Sequence, residues 1–196
     1  MSRTPFRFAV AAIAASAALT LTAVGAQERP DPAALIKAQK EAMATFAFMD
    51  GVWRGPAYTL RPDGSRHDIT QTERIGPLLD GAVKVLEGRG YESDGSTGFN
   101  ALGVISYDVK SRSYSMRSYA MGMMGDFAIK RTDDGFSWEI PAGPMTIRYS
   151  AIVKNGMWHE VGDRIVPGRD PVRFFEMKLT RVGDNDWPAV GAIPPK

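Results

Sequence analysis

Residues 135–156 read GFSWEIPAGPMTIRYSAIVKNG, and the period of that stretch decides the fold. From Gly135 to Pro141, Phe136, Trp138 and Ile140 fall on one side and Ser137 and Glu139 on the other. Further on, Met145, Ile147, Tyr149, Ala151 and Val153 alternate with Thr146, Arg148, Ser150, Ile152 and Lys154. Side chains that change face at every residue belong to a β-strand, and apolar–polar alternation belongs to a strand with one buried face. Asn155-Gly156 follows, residues that tolerate the positive φ of a tight reversal between antiparallel strands.

Working outward, the same period returns near the end, where Phe175, Met177 and Leu179 alternate with Glu176, Lys178 and Thr180. Turn residues punctuate the chain at Pro62-Asp63-Gly64, Asp80-Gly81, Ser93-Asp94-Gly95, Asp133-Asp134-Gly135, Asn155-Gly156 and Pro167-Gly168. Their spacing predicts about ten strands in a single antiparallel up-and-down β-barrel over residues 51–183, closed so that no edge is left unpaired. One helix precedes it, within a segment spanning residues 27–50. Asp31 is placed to cap it, Pro32 to open it, and Leu35, Ile36, Met43 and Phe46 to form an apolar stripe that runs to Phe48, with Asp50-Gly51 as the stop. Residues 184–196, with Pro188, Pro194 and Pro195, are expected to form an irregular tail.

The N-terminus reads as a targeting segment rather than structure. Arg3 and Arg7 precede an uncharged, Ala-rich run from Phe8 to Val24, which ends in the small residues Val24-Gly25-Ala26. That layout predicts a signal peptide over residues 1–26, cleaved after Ala26, and a mature protein in the periplasm or secreted. Alanine is too weakly apolar, and the Gln27–Pro32 stretch too polar, for a retained membrane anchor. Removing the segment takes away two of the 24 Lys and Arg and none of the 22 Asp and Glu, so the remaining chain is formally neutral. No basic excess is left for a nucleic-acid surface, and nucleic acid is not an expected partner. The chain has no Cys, which excludes disulfides and a Cys-linked lipid anchor.

Two motifs resemble a known family. One is Phe48-Met49-Asp50-Gly51-Val52-Trp53-Arg54-Gly55; the other is Gly103-Val104-Ile105-Ser106-Tyr107-Asp108, with Tyr114 on the next strand. With the closing run Phe174–Arg181 they are similar to a bacterial exported family of lipocalin-like (calycin-type) domains of unknown function. The resemblance implies a barrel with a cavity, closed at its base by Arg181 stacked across the Trp53 indole. There is also a distant likeness to haem-binding barrels of the nitrobindin type, which share the Gly-x-Trp-x-Gly opening. Those carry an axial His on the closing strand. Residues 171–182 contain none, with Phe174 or Phe175 in its place, so neither haem nor another cofactor is expected.

Chemistry-bearing residues are sparse. Of the two His, His67 sits beside a turn and reads as a solvated loop-edge residue, whereas His159 shares a strand face with Met157 and Val161 and is read as facing inward. No metal spacing and no Gly-x-Ser-x-Gly elbow occurs. The Met121-Gly122-Met123-Met124 cluster reads as a Met-lined turn, and no metal is expected there. Glu73, Glu87 and Glu160 lie on different strands, and spacing alone does not bring them together. Trp138, Tyr149 and Tyr119 supply aromatic walls, and Arg117 and His159 supply polar handles. These five are the candidate ligand-binding residues, and no catalytic residue is assigned. Three functions stay open: a barrel that binds a small, mainly apolar ligand; an isomerase or hydrolase using His159; and an envelope interaction or inhibitor module with a filled core.

Overall fold

The computed structural model describes residues 30–187. The segment read as a signal peptide, and the tail beyond 187, lie outside the described residues. Asp31 caps helix α1 (Pro32–Ala44) by accepting from the Ala33 N–H at 3.0 Å, with Pro32 in the first turn where its missing N–H costs nothing. The helix ends earlier than its apolar stripe suggests. Thr45 donates its hydroxyl back to the Ala42 carbonyl at 2.7 Å, Phe46 leaves helical geometry, and a single tight turn over Ala47–Met49 follows. Leu35 and Ile36 are consequently exposed, and only the C-terminal part of the stripe, Met43 with Phe46, is buried.

Ten strands follow in chain order: β1 (Gly51–Leu60), β2 (Arg66–Leu78), β3 (Val83–Tyr91), β4 (Thr97–Asp108), β5 (Ser113–Ala120), β6 (Met123–Thr132), β7 (Gly135–Ala142), β8 (Met145–Lys154), β9 (Met157–Ile165) and β10 (Val172–Gly183). Each pairs antiparallel with its neighbours in sequence, and β1 pairs with β10, which closes the barrel. The reversals at Met121-Gly122, at Gly143-Pro144 and at Arg112 add to the turns expected from the sequence, and each places a residue at positive φ. Met121-Gly122 is the β5–β6 hairpin tip, which leaves Met121, Met123 and Met124 exposed on the rim. Among the described residues no helix is long and apolar enough to cross a membrane.

The two ends of the barrel differ. At the end where α1 lies, Phe46 and Met49 insert beneath Trp53, Ile75, Ile105, Trp158 and Leu179, all almost fully buried. Trp53 meets Trp158 edge to face at 5.7 Å, and Phe136 meets Trp158 at 5.9 Å. The helix is tied on by polar contacts: Gln39 donates to the Tyr107 carbonyl at 3.1 Å, Tyr114 to the Ala42 carbonyl at 3.1 Å, and Arg131 to the Thr45 carbonyl at 3.1 Å. Lys84, buried here, pairs with Asp50.

The expected closure is corrected in one respect. Arg181 does stand opposite Trp53 in register, but its guanidinium does not stack on the indole. It donates to the Asp50 carbonyl from Nε and from an Nη, both at 3.3 Å, and pairs with Asp184. The indole of Trp53 is occupied otherwise, donating to the Met49 carbonyl at 2.8 Å. A bulge between Val52 and Trp53 rotates the strand at this point, and the carbonyl that the kinked backbone presents is the stronger partner for the cation.

Candidate functional site in the barrel lumen

Inward positions follow from the register. On β2 the inward set is His67, Ile69, Gln71, Glu73 and Ile75; on β9 it is Trp158, Glu160, Gly162 and Arg164. Trp138 pairs with Tyr149, which pairs with Gly162, which pairs with Phe175, so this ring of the wall is aromatic on three strands and open at a glycine on the fourth. Trp138 and Tyr149 lie face to face at 4.4 Å with an 11° tilt, and Phe127 leans on the indole at 5.3 Å. Away from the helix, inward residues keep accessible surface: Ile69, Glu73, Leu86, Phe127, Trp138, Tyr149 and Phe175 are only half-buried. Their neighbours one layer nearer the helix are sealed, so the inward face is less closely covered on the side away from the helix.

Two carboxyls project inward here. Glu160 is 7% exposed and accepts from the Trp158 indole N–H at 3.1 Å. Glu73 accepts from Gln71 at 2.7 Å, and Gln71 is itself 3% exposed. Burial pushes Glu73 up to about 8, against the Gln71 hydrogen bond, and the charge of Glu160 adds to the rise. Burial likewise pushes Glu160 up to about 7, while the Trp158 indole donor pulls the other way. Desolvation disfavours the charged form of a carboxyl, and a like charge nearby raises it further. The pair therefore titrates around neutrality. Tyr149 is pushed up to about 12, by burial first and then by the charge of Glu160, so its hydroxyl remains a donor.

Small residues make room for these groups. A Cβ at Gly88 would lie 2.8 Å from Glu73 Oε1, so the carboxyl occupies the space that any side chain there would take. At Gly162 an added Cβ would meet the Tyr149 ring at 2.9 Å. The wall itself parts between β6 and β7, which pair only from Ile129 to Thr132. Beyond that point a cleft of about 270 Å³ opens, lined by Asp126, Phe127, Lys130, Ser137, Trp138 and Pro141 among others. Pro141 has no N–H to offer a neighbouring strand, and it stands where the strands have separated.

Of the five candidate ligand-binding residues, the structure brings Trp138 and Tyr149 together inside. The other three lie on the outside, and the expectation that they face the lumen is corrected. Arg117 sits opposite Asp126 and forms a two-pronged ion pair with it, at 2.8 and 2.6 Å. Tyr119 is in register with Leu102 and Met124, an exposed outer row. His159 places Nε2 2.8 Å from Glu176 Oε1, beside Lys178, on the outer face of β9 and β10. Lys178 and then His159 hold the Glu176 carboxyl down at about 2. His67, expected at a loop edge, lies within β2 and bonds Glu92 at 2.9 Å at the end of the barrel away from the helix.

Sequence reasoning missed Gln71 as a lumen residue and left Glu73 and Glu160 unconnected. A usable signal was present for the first two. In Ile69-x-Gln71-x-Glu73-x-Ile75 the flanking isoleucines mark the inward face, and Gln71 and Glu73 are forced onto it.

No family model matches the chain, and no curated protein matches it. Solved structures do. The crystal structure of Rv2717c from M. tuberculosis matches with a TM-score of 0.54 at 11% identity, over 71% of this chain and 96% of that one. The S-type phycobiliprotein lyase CPES from Guillardia theta matches with a TM-score of 0.50 at 10% identity, over 76% of this chain and 98% of that one. At such identity the likeness is one of fold, and the fold is a lipocalin-like barrel.

Proposed function

We propose that the chain is an exported binding protein that takes a small, mainly apolar molecule into the barrel lumen. One observation carries this reading: stacked Trp138 and Tyr149 and the carboxyls of Glu73 and Glu160 share the inward face beyond the sealed layer, where the aromatic pair and Glu73 keep accessible surface. An apolar cavity with a few convergent polar groups is the usual form of a small-molecule site. A barrel packed solid from end to end would suit the interaction-module reading, and the half-buried lumen residues argue against it. Export rests on the signal-peptide layout of residues 1–26, and N-terminal sequencing of the mature protein is expected to begin at Gln27.

The test is Trp fluorescence during titration with naphthylmethanol. Saturable quenching is expected, and Trp138→Ala should weaken binding by about tenfold or more through loss of the stacking surface. Absence of saturable binding would overturn the reading.

An enzyme built on His159 finds no support in its place on the outer surface. Acid–base chemistry, if the barrel performs any, belongs to the carboxyl pair, because groups that titrate near neutrality are the ones suited to it.

A further inference from the structure

The lumen has one property that an ordinary apolar cavity lacks. Among the described residues, the carboxyls of Glu73 and Glu160 point into it and neither has a cation as an ion-pair partner. Among the described residues, the basic side chains at inward positions are committed elsewhere. His67, on the same face of β2 as Ile69 and Gln71, bonds Glu92 at 2.9 Å. Lys84 pairs with Asp50. Arg131 donates to the Thr45 carbonyl at 3.1 Å and lies over the Phe48 ring. Arg164 donates to the Leu60 carbonyl at 3.4 Å and lies 4.6 Å above the Phe174 ring. Among the described residues, Glu160, more than nine-tenths buried, accepts only from the Trp158 indole, and Glu73 Oε2 accepts no hydrogen bond. Glu73 also keeps accessible surface at a depth where Ile75, next along its own face, has none. An unmet acceptor on the inward face thus keeps accessible surface.

We infer that the molecule bound in the lumen carries a protonated nitrogen on an apolar, aromatic-compatible body, and that Glu160 and Glu73 hold that nitrogen. This rests on the reading of the lumen as a binding site, and it names the class of ligand. A carboxylate has about four lone-pair directions, and charge-assisted N–H donation is the strongest way to fill those that the Trp158 indole and Gln71 leave open. An ammonium group is short enough to sit between two carboxyls, while Trp138 and Tyr149 offer a flat face to the rest of the molecule and the ring quadrupoles favour a nearby cation. An anionic ligand opposes ionisation of the pair, and the inward Arg131 and Arg164 are already engaged with backbone carbonyls. A neutral one leaves the buried pair to keep its protons.

Binding of the cation then has a definite proton balance. A carboxyl that held its proton in the empty lumen releases it to solvent as it pairs with the ammonium, which keeps its own. The groups around the pair are Tyr149 from β8, Arg164 further along β9, and Glu87 on the outer side of β3. Of these, Glu87 raises Glu73 and none is a cation in contact with either carboxyl.

The experiment compares three ligands of one shape, naphthylmethylamine, naphthylmethanol and naphthoate, by calorimetric titration of the whole folded chain near pH 7, in two buffers of different ionisation enthalpy. The amine is expected to bind about tenfold or more tighter than the alcohol, naphthoate weakest, with proton release for the amine alone. Glu160→Gln and Glu73→Gln keep the shape and remove the charge. Each should erase most of the preference for the amine over the alcohol, read as the ratio of the two affinities in the same variant, with circular dichroism confirming the fold. Equal affinity for all three ligands, or an amine preference that survives both substitutions, overturns the inference while the binding barrel stands. Binding of none of the three overturns the barrel reading as well.

Discussion

The two ends of this barrel are made from the same ten strands and the same alternation, yet they solve different problems. At the helix end the inward positions carry Trp53, Ile75, Ile105, Trp158 and Leu179, and the helix supplies Phe46 and Met49 as a plug. Those large side chains are sealed, and the polar atoms among them find partners, Trp53 in the Met49 carbonyl, Lys84 in Asp50 and Trp158 in Glu160. One layer further from the helix, the inward positions become Gln71, Glu73 and Glu160, with Gly88, Gly90 and Gly162 among them. Bulk gives way to small residues and unneutralised carboxyls, a combination that stabilises nothing by itself. The contrast teaches that stability is concentrated at one end, which lets the other carry groups that folding alone would not select.

The largest expected effect tests that division directly. Trp53→Ala should cost about 3–5 kcal/mol of stability, because a sealed indole leaves both a cavity and an orphaned Met49 carbonyl. Trp138→Ala should cost less, about 1–2 kcal/mol, since part of its surface already borders the lumen. Urea unfolding of the two variants side by side checks this, and equal losses would mean that the ends are not distinct.

A second effect depends on pH. Glu73 and Glu160 are raised above their unfolded values, so between about 4.5 and about 8 the folded state holds more protons than the unfolded chain does. Stability rises with pH only where the unfolded state binds more protons, so these two groups make it fall across that window. Their favourable contribution is complete below the unfolded value and is lost as pH passes through about 7 and about 8. Glu73→Gln and Glu160→Gln should each flatten the decline, so that at pH 8 the variants are more stable than the parent. Thermal midpoints between pH 5 and pH 8.5 in ~0.1 M salt read this out, and parallel curves for parent and variants would show that the carboxyls are solvated rather than enclosed.

How much of this was legible in the sequence depends on what each face carries. The directions of Trp138 and Tyr149 were readable because Phe136, Ile140 and Ile147 share their side. The helix start was readable from Asp31-Pro32. In β5 the rule misled, since the inward set is Met116, Ser118 and Ala120 and the larger Tyr119 faces out. A narrow barrel needs small residues inside, and at such positions size no longer marks the core. In β9 the inward set is Trp158, Glu160, Gly162 and Arg164, while Met157, His159 and Val161 have the more apolar company. A buried glutamate defeats any reading in which carboxylates belong to water. The meeting of Glu73 with Glu160 was beyond reach, because β2 and β9 are not neighbours in the wall and only closure through β1 and β10 brings them to one lumen.

The smallest expected effect concerns the outer face and sharpens the contrast between inside and outside. Arg117 pairs with Asp126, and His159 with Glu176, both pairs on the solvent side of the wall. Exposed pairs are screened by salt and spend side-chain entropy to hold their geometry, so their net worth is small even where hydrogen bonds are short. Asp126 is lowered by its hydrogen bond from Arg117, and Glu176 is lowered by Lys178 first, so each carboxylate stays ionised across the whole range in which the lumen pair titrates. Arg117→Ala and His159→Ala should therefore leave the unfolding midpoint within error of the parent. Neither should change the affinity for naphthylmethanol or the preference for naphthylmethylamine, since strand alternation puts the whole thickness of the wall between these side chains and the lumen. An altered amine preference in the Arg117 variant would show that its charge is felt through the β6–β7 cleft, where its partner Asp126 forms part of the lining. Ligand would then be in contact with the seam, and the division between outer pairs and lumen carboxyls would have to be redrawn at that one place.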